Sequence, residues 1–131
     1  MVTIEEMEHM LEELASELPQ EFYRELNGGI LLLPDKKISP EAKKNDLYTM
    51  GQYRYSPSMG RYIIIYYGSF EALYGNLSHE NLKKQLREVL RHEFTHHLED
   101  LAGERDLEKE DELQLERYRY GLPMKPIRRL K

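Results

Sequence analysis

His92-Glu93-Phe94-Thr95-His96 places two imidazoles four residues apart, with a carboxylate directly after the first. On a helix that spacing puts both rings on one face, with Cβ atoms roughly 5–6 Å apart. They can then share one ion through Zn–N bonds of about 2.0–2.1 Å. A glutamate beside the first ligand can take a proton from water activated by that ion. The implied chemistry is metal-assisted hydrolysis, with His92 and His96 as metal ligands, Glu93 as general base and Zn2+ as cofactor. A peptide or protein is the leading substrate.

The segment that must position these residues is helical by its own pattern. Leu82, Leu86, Val89, Leu90, Phe94, Leu98 and Leu101 form an apolar stripe, with Ser78 as the expected N-cap. On the helical wheel His92 and His96 lie about 40° apart on the flank of that stripe. Glu93 falls between them and the stripe, so all three fit an arc of about 100°. His97 falls near the centre of the stripe and is expected to point inward, supporting the site or packing in the core.

A zinc site that does chemistry needs a third protein ligand and one open position. Gly103-Glu104-Arg105-Asp106 offers a chain reversal followed by a short acid. Asp106 is therefore the first choice, with Glu99, Asp100 and Glu104 as alternatives. Tyr118, Tyr120 and Arg105 are available as donors to an oxyanion, although their spacing selects none of them. Met124, after Leu122-Pro123, reads as packing.

Ile63-Ile64-Ile65-Tyr66-Tyr67-Gly68, followed by Arg91-His92-Glu93-Phe94-Thr95-His96-His97 and then Gly103-x-x-Asp106, resembles a bacterial family of very small zincin-like metallopeptidases. Their signature is HExxH, usually with a second histidine directly after it, and then GxxD. The resemblance covers roughly residues 19–115. It implies a zincin-like fold, His92, His96 and Asp106 as zinc ligands, and Glu93 as general base. It also implies that an extended peptide lies along an exposed sheet edge supplied by a strand between Leu47 and Tyr67. In the compact form of the signature, the glycine falls where Glu99 stands and the aspartate where Ala102 stands. Here Gly103 and Asp106 come four residues later, close to one helical turn or about 6 Å along the axis.

The rest of the chain reads as a scaffold for that helix. Residues 3–18 form an amphipathic helix with a Thr3/Glu6 capping box, closed by Pro19, and Gln20 to Leu26 a second short helix. Ile30–Leu33 reads as a buried strand and Lys36–Asp46 as a loop. Leu47–Tyr55 is a strand interrupted at Gly51, and Arg61–Tyr67 is the strongest strand, paired with it across the Ser56–Gly60 turn. Gly68 is expected to break that run before a helical turn around Phe70–Tyr74. Leu107 to Tyr120 is read as a last helix. The expectation is a single α+β domain over residues 1–131, with about three strands packed on a central helix and flanking helices.

At 131 residues and 40% hydrophobic content, the chain can supply one core. A net charge of −5 argues against general nucleic-acid binding. The basic tail, residues 125–131, reads as a solvated end. With no cysteine, only His, Asp and Glu remain as strong metal ligands. Neither a signal peptide nor a membrane-spanning run is evident, so a cytoplasmic location without membrane partners is expected. The competing reading is a non-catalytic zinc-binding interaction domain, and Glu93 discriminates, because a purely structural site does not need it.

Overall fold

The computed structural model describes residues 1–42 and 47–103, together with Arg119 and Gly121. Helix α1, Ile4–Ala15, starts at the expected capping box. Thr3 Oγ1 accepts from the Glu6 amide at 3.1 Å, and Glu6 Oε1 accepts from the Thr3 amide at 2.7 Å. Met7, Met10, Leu11 and Leu14 form its buried face. The helix stops at Ala15, short of the expected Leu18. The expected short helix from Gln20 is a single 3₁₀ turn, Gln20–Tyr23, that stops short of Leu26. Its anchoring residue is Phe22, fully buried in the core.

Strands β1 (Gly29–Leu33), β4 (Gly51–Ser56) and β5 (Gly60–Tyr66) form a sheet in the order β1-β5-β4. Strand β5 takes the centre because it alone offers an unbroken run of β-branched and aromatic residues, and Ile63 to Tyr66 are all buried. It pairs parallel with β1, from Gly29↔Tyr62 to Leu33↔Tyr66, and antiparallel with β4, from Gly51↔Ile65 to Ser56↔Gly60. The hairpin is the expected one. Strand β1, expected to be buried, is half-buried along its length because it lies at one edge of the sheet.

The Leu47–Tyr55 strand divides at Met50. Tyr48–Thr49, strand β3, pairs with Lys37–Ile38, strand β2, inside the segment expected to be a loop. Two-residue strands are too short to leave a periodic signal. This small ladder is fixed from outside by Ser69, whose Oγ accepts from the Lys37 amide at 2.9 Å.

Strand β5 ends at Tyr66, beside Gly68 as expected, but the helix that follows begins before the glycine. Helix α2, Tyr67–Tyr74, runs through it. A Cβ at this position would come within 2.7 Å of backbone atoms of Pro34, Asp35 and Lys36, so glycine is needed for close approach, not for flexibility. Helix α3, His79–Gly103, is the longest element. The Asn81 amide donates to Ser78 Oγ at 3.2 Å, as expected of an N-cap. Its stripe of Leu82, Leu86, Leu90, Phe94 and Leu98 packs with α1, Phe22, Phe70 and the inner face of β5 in one core. Among the described residues, no helix is long and apolar enough to cross a membrane.

Gly68→Ala is expected to destabilise the protein by about 1–3 kcal/mol, because backbone must move to admit the methyl group. Urea denaturation checks this; an unchanged midpoint would mean that the α2–Pro34 contact gives way without cost.

Candidate functional site

Beside its core stripe, α3 carries a polar stripe of Gln85, Glu88, His92, His96 and Glu99, spaced three or four residues apart. Strand β4 lies opposite, and the cleft between them is lined by Thr49 to Tyr55 on one side and by His92, Glu93, His96, Glu99 and Asp100 on the other. Gly51 lets the two walls approach: a Cβ there would meet Val89 Cγ1 at 3.0 Å.

The two imidazoles converge as the spacing predicts. His92 Nε2 and His96 Nε2 are 3.1 Å apart, with ring planes at 87°. Two nitrogens bound to one tetrahedral zinc at about 2.0–2.1 Å would be about 3.3 Å apart, so this geometry fits a shared ion. Glu93 lines the cleft next to them and is only 6% exposed. Among the described residues it has no hydrogen bond or ion pair. Burial pushes its carboxyl up to about 7. A buried carboxylate without a protein partner is costly and marks a place for an external one.

The third ligand expected from sequence, Asp106, and the alternative Glu104 lie outside the described residues, as do Arg105, Tyr118, Tyr120, Met124 and the basic tail. Among the described residues, no third His, Cys, Asp or Glu joins the histidine pair to complete a metal-binding group. Glu99 Oε1 stands 3.7 Å from His96 Nδ1, the ring nitrogen opposite the one that faces His92. Asp100 is occupied elsewhere. Its Oδ2 accepts from Arg61 Nε at 2.7 Å and from the Tyr53 hydroxyl at 2.8 Å. Burial raises its carboxyl, but the bonds from Arg61 and Tyr53 outweigh that and hold it below the usual range.

His97 points inward, as its place on the stripe requires, and is fully buried. Its Nε2 lies 2.9 Å from the Arg24 carbonyl oxygen and its Nδ1 2.9 Å from the Tyr53 hydroxyl. A carbonyl only accepts, so Nε2 carries the proton. Burial lowers the His97 pKa, against the Arg24 bond, which raises it. Nδ1 of the neutral ring is then an acceptor, and it competes with Asp100 for the single proton of the Tyr53 hydroxyl. Together His97, Tyr53, Asp100 and Arg61 clasp α3 to β4, β5 and the chain at Arg24. Sequence reasoning missed Tyr53 and Arg61. Alternation along β4 does set Gly51, Tyr53 and Tyr55 on one face, but no spacing pairs them with residues more than forty positions away.

No family model and no curated protein matches this chain. Among solved structures, it is similar to one described as a conserved hypothetical protein from Thermo thermophilus. The two share 31% identity with a TM-score of 0.66, over 79% of this chain and 100% of the other. The chain belongs to that protein's family. Among the described residues, helices α1, α2 and α3 with small sheets make an α+β arrangement, which has a counterpart among solved structures.

The buried carboxylate makes a prediction for the metal-free protein. Glu93 keeps its proton up to about pH 7 in the folded state, whereas its ordinary value is 4.5. The unfolded chain therefore releases that proton first as pH rises, and this group's contribution to stability falls between those two values. Glu93→Gln should remove that fall and raise stability at pH 8 by up to about 3 kcal/mol. Urea denaturation of the metal-free wild type and variant at pH 4.5 and 8 checks this; parallel losses in both would show that Glu93 is ionised without penalty.

Proposed function

We propose that this protein is a zinc-dependent metallopeptidase on a zincin-like scaffold. The observation that carries the reading is Glu93, buried and, among the described residues, without a protein partner, beside two imidazole nitrogens 3.1 Å apart. A metal held only for stability would leave that carboxyl as an unexplained cost, whereas hydrolysis gives it a task. His92 and His96 would hold the ion through Nε2, and Asp106 is proposed as the third ligand. A divalent zinc ion supplies Lewis acidity, making water a nucleophile near neutral pH and polarising the scissile carbonyl.

The chain's own groups supply the proton traffic and the positioning. Glu93 takes the proton from the attacking water and gives it to the departing amine. Burial raises its proton affinity in the metal-free protein, and a divalent cation held at His92 and His96 would lower it again. Strand β4 is an edge of the three-stranded sheet and forms one wall of the cleft. An extended peptide would add to that edge through main-chain hydrogen bonds and pass across Glu93. The Tyr53–His97–Asp100–Arg61 clasp would hold the edge at a fixed height above the histidines.

The gently purified protein is expected to contain about one zinc per chain, lost in His92→Ala. Glu93→Gln should keep the metal and lower peptide hydrolysis by roughly 10²–10⁴-fold. Metal analysis and turnover of a peptide mixture provide the check. Hydrolysis that survives Glu93→Gln would overturn the general-base role, and a protein that takes up no zinc would overturn the whole reading.

A further inference from the structure

The cleft has two lobes that meet over Glu93. Thr49, Gly51, His92 and Glu93 line both. One lobe extends toward His96 and Asp100 and carries both signs of charge, with Arg54, Glu99 and Asp100 all among its lining. The other extends toward the start of α3, between Met50 and Val89, with Gln85 and Glu88 also lining it. In this second lobe the described lining includes no lysine or arginine, and His92, the proposed zinc ligand, stands at its inner end. Among the described residues, Glu88 makes no hydrogen bond or ion pair, and it is exposed. Glu93, buried and equally unpartnered among them, forms its inner end.

We infer that this second lobe is a side-chain pocket selecting a lysine or arginine next to the scissile bond of the substrate. The inference rests on the peptidase reading above. A peptide paired with β4 across Glu93 spreads residues on either side of the cleavage point over the two lobes. The thioether of Met50 and the methyls of Val89 suit the methylene stem of a long basic side chain. Glu88 and the Gln85 amide oxygen then meet its charged end. A purely aliphatic side chain leaves Glu88 unmatched, and an acidic one meets like charge.

The test uses the zinc-loaded Glu93→Gln full chain, so that peptides bind without being consumed. Short neutral peptides carry a single lysine or norleucine moved along the sequence, and calorimetry gives Kd. The lysine peptide with the best register should bind about tenfold tighter than its norleucine twin. Adding Glu88→Gln should bring that ratio to about one, and Glu88→Lys should invert it in favour of a glutamate peptide. Amide shifts at Met50 and Val89 on peptide addition should locate the contact in this lobe. A ratio near one before any change at Glu88, or a ratio unmoved by Glu88→Gln, overturns the inference. So does loss of zinc in Glu88→Gln, which would assign that carboxylate to the metal centre. Wild-type turnover separates the two readings: cleavage without preference for basic residues sinks the pocket alone, whereas a lysine preference in binding without cleavage by the wild type sinks the activity alone.

Discussion

The hydrogen bonds of His97 and Asp100 set the position of the helix that bears the histidine pair. Asp100 joins α3 to Arg61 of β5 and Tyr53 of β4, and His97 joins it to Tyr53 and to the chain at Arg24. Hydrophobic packing alone does not fix a helix along its axis, since leucine stripes tolerate sliding. Directional bonds in a part-buried setting do fix it, because breaking one leaves a polar group short of both water and partner. The separation between β4 and His92 follows from these contacts.

Within that frame, one helix performs two tasks by dividing its circumference. Leu86, Leu90 and Phe94 hold it in the core, while the adjoining polar arc forms a cleft wall. Glu93 sits at the seam. Its burial comes from its nearness to the apolar stripe, and its lack of a partner among the described residues from its opening onto the cleft. The same position that makes the residue expensive for the fold raises its proton affinity.

The site was more legible in the sequence than the sheet. Helical periodicity placed His92, Glu93 and His96 on one arc and turned His97 inward, because every one of those statements concerns residues on a single helix. The hairpin of β4 and β5 was legible for a similar reason, being joined by a short turn. The parallel pairing of β1 with β5 and the β2–β3 ladder were not, since they join segments distant in sequence or too short to show a period. The break at Gly68 was legible but its cause was not: a glycine needed for close packing looks the same in one dimension as a glycine that ends a strand. Asp100, weighed as a ligand by its nearness in sequence, is engaged by Arg61 and Tyr53.

The clasp also has a consequence for how the chain matures. His97 bonds to an oxygen 73 residues earlier, and Asp100 to groups 47 and 39 residues earlier. During synthesis, α1 and the described strands emerge before His97 and Asp100 exist. Contacts of such long range form late, after the loop-closure entropy between them has been met. A nascent or truncated chain ending before α3 lacks His92 and His96, so one wall of the cleft is absent until that helix is made.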